Sequence, residues 1–111
     1  MNLFQAGILQ PNLVETINLR QGESTAVSFT SLATAGYSWH FEIGNVGVIS
    51  VEKSVNSQEM RKMPLGASVE EIFTIKAIRM GTSKLFFRQS RSWETDVEPI
   101  QSKTYYIQVI D

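Results

Sequence analysis

Apolar and polar side chains alternate with a period of two along most of this chain, a pattern that builds sheets and gives no helix an apolar face. The clearest instance sets Tyr37, Trp39, Phe41 and Ile43 on one side and Ser38, His40 and Glu42 on the other. Val27 and Phe29 alternate with Ala26, Ser28 and Thr30, and Phe73, Ile75 and Ala77 with Thr74 and Lys76. Leu85 and Phe87 flank Phe86, while Tyr106 and Gln108 separate Tyr105, Ile107 and Val109. With Leu13–Leu19 and Val48–Lys53 the chain holds about seven strands. Turn residues divide them at Gln21-Gly22-Glu23, Gly36, Gly44-Asn45-Val46-Gly47, Pro64-Leu65-Gly66 and Met80-Gly81-Thr82. Short strands at roughly ten-residue spacing predict an all-β chain, an immunoglobulin-like β-sandwich of about seven antiparallel strands. A small closed barrel is the alternative.

The 111 residues read as a single domain over 1–111, long enough to bury a core without covalent staples. With 42% apolar and 19% charged residues the chain is not a disordered one. Its net charge of −1 provides no basic footprint for nucleic acid. The chain has no cysteine, which excludes disulfide scaffolds, zinc–thiolate sites and thiol catalysis. No apolar run approaches the roughly 18 residues of a membrane helix. Met1 to Gln10 has neither a basic segment nor a long apolar one, so no signal peptide is visible. Localisation stays open: secreted or periplasmic if Met1 replaces a removed signal segment, cytoplasmic otherwise.

In a sandwich of this kind the connections between the second and third, fourth and fifth, and sixth and seventh strands (B–C, D–E and F–G) emerge at one end. Here they are Ser31–Gly36, Ser54–Ser68 and Gln89–Ser102. They contain Leu32-Ala33-Thr34-Ala35-Gly36, Met63-Pro64-Leu65-Gly66-Ala67-Ser68 and Arg91-Ser92-Trp93. None offers a nucleophile–base pair or a ligand set, so the tip reads as a binding device aimed at a protein surface and the chain as no enzyme. Trp93, flanked by Ser92 and Glu94, is expected to be exposed there, whereas Trp39 belongs to the core. Tyr37, at the loop edge, can serve both packing and binding.

In these three connections the chain resembles the chagasin family of cysteine-peptidase inhibitors. The family's B–C motif is Asn-Pro-Thr-Thr-Gly-aromatic. Here it is Leu32-Ala33-Thr34-Ala35-Gly36-Tyr37, which keeps the first Thr, the Gly and the aromatic, followed by Trp39. The family's D–E Gly-x-Gly-Gly begins at Gly66 and continues as Ala67-Ser68-Val69, with Glu71 and Phe73 in register. The F–G Arg-Pro-Trp becomes Arg91-Ser92-Trp93, and Gly81-Thr82 stands where the family has Gly-Thr. The likeness runs from about Val14 to Val109.

The resemblance implies a reversible, non-covalent inhibitor of papain-family cysteine peptidases (cathepsin L-type or papain-type) with loops at about 31–37, 62–69 and 89–98 occluding the cleft. It implies Thr34, Ala35, Gly36 and Tyr37 in the B–C contact and Leu65, Gly66, Ala67 and Ser68 in the D–E contact. Arg91, Ser92 and Trp93 would form the F–G contact. Losing Asn and Pro before Thr34 is expected to leave the B–C loop less pre-organised. The chain is expected to be a monomer that needs no cofactor and no metal. The alternative is a non-inhibitory immunoglobulin-like module binding a protein or a carbohydrate through the same tip.

The remaining polar features have ordinary readings. His40, the only histidine, is expected on the solvent side of its strand, with no triad around it. Glu94, Asp96 and Glu98 alternate but lack the spacing of a calcium loop, and Arg61-Lys62 reads as a solvated turn.

Overall fold

A computed structural model describes residues 12–32, 36–55, 69–94 and 97–111. The alternating segments form strands β1 (Asn12–Arg20), β2 (Ser24–Ser31), β3 (Tyr37–Ile43), β4 (Ile49–Val55), β5 (Val69–Ala77), β6 (Gly81–Arg91) and β7 (Gln101–Ile110). They make two sheets, ordered β1-β7-β6-β3 and β2-β5-β4. The arrangement is the expected immunoglobulin-like sandwich rather than a closed barrel. One pairing departs from the antiparallel expectation: β1 runs parallel to β7, Asn12 opposite Ser102 and Arg20 opposite Ile110. Alternation records which face a residue takes and nothing about the direction of the neighbouring strand, so this pairing is a product of the tertiary fold.

The core lies where the inner faces of β5, β6 and β7 meet. Along β5 every second residue is buried: Val69, Glu71, Phe73, Ile75 and Ala77. Leu85 and Phe87 come from β6, and Tyr105, Ile107 and Val109 from β7. Phe87 is the hub, with its ring 4.9 Å from Phe29 and Phe73, 5.8 Å from Tyr105 and 6.3 Å from Phe41, all tilted or edge-on. Such pairs contribute about 0.5–1.5 kcal/mol each beyond the area they bury. Trp39 is buried as expected, stacked on Phe29 at 4.3 Å, with its indole N–H donating to the Thr30 carbonyl at 3.1 Å.

Strand lengths correct the loop boundaries. β6 continues to Arg91 and β7 starts at Gln101, so the F–G connection is 92–100 and Arg91 is a strand residue. Tyr37 is, as expected, the first residue of β3, directly opposite Arg91. The extension of β6 follows from backbone pairing with β3, which continues past the point where the alternation of β6 fades.

Tyr105 carries a pH signature. Burial raises its hydroxyl above the ordinary 10.0, Lys103 lowers it, and Glu15 raises it again. The folded chain therefore keeps a proton that the unfolded chain has released. The stability tied to the neutral phenol is complete below about pH 10 and is lost as the pH rises through the folded value. Replacing Tyr105 with Phe should remove this part of the alkaline loss, read as urea midpoints that fall less steeply above about pH 10 than those of the parent.

Candidate functional site

Two of the three connections are brought together by direct packing. Gly36 closes the B–C turn with φ of 93°, a backbone region that side-chain-bearing residues rarely adopt. The six-membered ring of Trp93 occupies the space where a Cβ on residue 36 would stand, with Cζ2 and Cζ3 both 3.2 Å from that point. Glycine is thus required twice here, for its conformation and for the room it leaves. The Tyr37 N–H donates to the Leu32 carbonyl at 3.2 Å and closes the B–C excursion at its base.

Trp93 owes its exposure to a tight turn. The Glu94 N–H donates to the Arg91 carbonyl at 3.1 Å, so Ser92 and Trp93 sit at the corner. Arg91 reaches back to Glu94 at 3.5 Å, and its guanidinium carbon lies 4.4 Å from the Tyr37 ring centroid and 5.8 Å from that of Trp93. The result is a stack of Tyr37, Arg91 and Trp93 resting against Gly36, with Trp93 left 66% exposed, as its sequence context predicts. A guanidinium over aromatic rings contributes about 0.5–1 kcal/mol at exposed sites.

Thr34 and Ala35 of the B–C set, and all of Leu65, Gly66, Ala67 and Ser68 of the D–E set, lie outside the described residues. The root of the D–E connection is described, and it is held by a polar clamp. Glu71 on β5 is 1% exposed, and its Oε1 accepts the Trp39 N–H at 3.1 Å and the Lys53 ammonium at 2.9 Å. Lys53 also donates to the Trp39 carbonyl at 3.0 Å. Two side chains of the β2-β5-β4 sheet thereby satisfy the peptide groups that β3 turns away from β6. That fixes the roots of D–E beside the start of β3.

Charge is nearly balanced beside the stack. Arg88 pairs with Glu42 at 3.1 Å and Arg91 with Glu94, so the described part of the tip presents aromatic surface more than net charge. His40 is half-buried rather than fully on the solvent side, with Ser38 Oγ 3.4 Å from its Nε2. Among the described residues no three potential metal ligands come together.

Sequence reasoning did not anticipate the burial of Glu71 and Gln89. Each stands at an apolar position of a strict alternation, Glu71 between Val69 and Phe73 and Gln89 beyond Leu85 and Phe87. A polar residue on the inward register of a strand is the signal that would have found them.

The sequence model of the Chagasin family peptidase inhibitor I42 matches residues 18–109. Among solved structures the chain is similar to the cysteine protease inhibitor EhICP2 from Entamoeba histolytica, with 19% identity and a TM-score of 0.70 over 88% of this chain and 92% of that one. It is similar to Amebosin, with 17% identity and a TM-score of 0.69 over 87% of this chain and 97% of that one. It is also similar to PbICP-C, solved in complex with falcipain-2, with 17% identity and a TM-score of 0.67 over 94% of this chain and 95% of that one. At these identities the likeness is one of fold. No curated protein matches the sequence.

Two substitutions probe the geometry. Gly36→Ala should cost about 1–2 kcal/mol in urea unfolding, from φ strain alone, and should shift the Trp93 indole resonance while leaving that of Trp39 in place. Glu71→Ala should cost about 2 kcal/mol, the low end for a broken buried pair because Lys53 can reach water, and Glu71→Gln should cost less by keeping an acceptor for the Trp39 N–H.

Proposed function

Because the chain belongs to the chagasin family of peptidase inhibitors, we propose that it inhibits papain-family cysteine peptidases reversibly and non-covalently, by seating the B–C, D–E and F–G tip in the active-site cleft. The observation that carries this reading is Trp93. This large aromatic residue is held two-thirds exposed at a turn corner, backed on one side by Gly36 and Arg91 with the rest of its surface open to a partner. Rigid, exposed aromatic side chains of this kind dominate interface free energies. That PbICP-C has been solved with falcipain-2 supports a peptidase as the partner.

The cleft of a papain-like peptidase is narrow, with a Cys–His pair at its base. Thr34, Ala35 and Gly36 form the thinnest stretch of the tip in side-chain volume and would enter furthest. Thr34 would lie nearest the catalytic pair, with Tyr37 behind it. Arg91, Ser92 and Trp93 would lie along one rim, the indole on apolar or aromatic surface. Leu65, Gly66, Ala67 and Ser68 would lie along the other, where an extended segment can pair with the cleft edge.

The tip offers no electrophile for the peptidase thiolate, so dissociation returns both proteins intact. The chain acts by occupying a site rather than by catalysis, in keeping with a sequence that has no cysteine and a single histidine. An interface of standard size buries roughly 1,600 Å² in total. Its affinity then depends on how little ordering the loops still require when they bind.

Titrating papain and a cathepsin L-type peptidase against a fluorogenic peptide tests the proposal. The expected result is a linear loss of activity to a one-to-one end point that dilution relieves. Trp93→Ala should weaken binding by about 2 kcal/mol, roughly thirtyfold, while costing the fold no more than about 1 kcal/mol. Failure to inhibit at micromolar protein would overturn the proposal and leave the tip as a binding module for another protein or a carbohydrate.

A further inference from the structure

Gln89 lies on the inner face of β6, opposite Trp39 of β3, and its side chain does not reach the surface: the residue is 3% exposed. Its polar atoms meet the roots of two connections. Oε1 accepts the Leu32 N–H at 3.1 Å, where the chain leaves β2 for the B–C loop. Nε2 donates to Gln101 Oε1 at 3.0 Å, where the F–G connection enters β7. Its backbone carbonyl accepts the Ile100 N–H at 3.0 Å, one residue earlier.

The Leu32 residue is held on both sides. Its N–H is fixed by Gln89, and its carbonyl accepts the Tyr37 N–H that closes the B–C excursion. Tyr37 in turn packs on Arg91, two residues beyond Gln89 on the same strand. A single buried amide therefore connects the base of B–C to the base of F–G. Neither Leu32 nor Ala33 carries a φ-locking ring or a capping side chain that would supply local stiffness.

We infer that Gln89 supplies that stiffness: it is a positioning residue that pre-orders the B–C and F–G connections and touches no partner itself. Its consequence for inhibition rests on the proposed function; its effect on loop order does not. An amide whose hydrogen bonds hold a loop before binding lowers the ordering cost at binding. Its loss therefore weakens the complex without removing any contact with the partner.

Gln89→Leu keeps the bulk and removes both side-chain bonds. In the free protein, amide exchange at Leu32 and Tyr37 should accelerate about tenfold while Phe73 and Ile75 stay protected, and the papain inhibition constant should rise by about the same factor. A purely structural role would accelerate the Phe73 and Ile75 amides in step with the loop, and that result, or unchanged exchange at Leu32 and Tyr37, overturns the inference. If the parent inhibits papain and a folded Gln89→Leu inhibits it equally well, the inference also falls and the inhibitory reading stands. If the parent does not inhibit, that reading fails and exchange alone decides the role of Gln89. Should Gln89→Leu not fold, Gln89→Asn keeps a buried amide but shortens it by one methylene, out of reach of the Leu32 N–H. Faster Leu32 exchange in it supports the inference, and unchanged exchange overturns it.

Discussion

A carboxylate buried on the inner face of a sheet must find partners there, because water is absent and an unmatched charge costs several kcal/mol. Glu71 finds them in the peptide N–H of Trp39 across the sandwich and in the ammonium of Lys53 on the neighbouring strand of its own sheet, which itself binds the Trp39 carbonyl. The edge of β3 would otherwise present unpaired backbone groups, and edges of that kind invite pairing with other chains. Here they are occupied by side chains of the opposite sheet. The contact also ties the two sheets together at the end that carries the connections, where the layered phenylalanines give way to loops. Apolar packing alone is non-directional and would allow the sheets to slide. A charged hydrogen-bond set fixes one alignment.

The tip inherits that alignment. Glu71 and Lys53 place the roots of the D–E connection beside Trp39, and Tyr37 begins the same strand two residues earlier. Gln89, opposite Trp39, then meets the roots of B–C and F–G. Above this layer of buried polar groups, Gly36, Tyr37, Arg91 and Trp93 pack on one another. A binding surface ordered in this way before contact has less conformational entropy to lose, which is how a few side chains can dominate an affinity.

Much of this was legible in the residues. Alternation located all seven strands, the small residues and turn formers located the connections, and Trp93 between polar neighbours announced its exposure. The partial B–C and F–G motifs pointed to Gly36, Tyr37, Arg91 and Trp93 as one surface, although their spacing in sequence is more than fifty residues. What escaped was the polar layer beneath. Glu71 and Gln89 occupy inward registers, yet a reading built on apolar periodicity notes the hydrophobic positions and passes over the exceptions. The reach of β6 to Arg91 escaped for a related reason: backbone pairing does not need alternating side chains to continue.

By itself the order of amino acids determined the class of the fold, the number of strands and the face that most apolar side chains take, because period-two patterning and turn chemistry act over a few neighbours. Only the tertiary structure decided that β1 runs parallel to β7, that Trp93 fills the space a side chain on residue 36 would need, and that Glu71 and Gln89 bind partners on other strands. Those outcomes depend on residues distant in the chain meeting at hydrogen-bond or van der Waals range. Strand direction and side-chain reach set such meetings, and no local pattern records them.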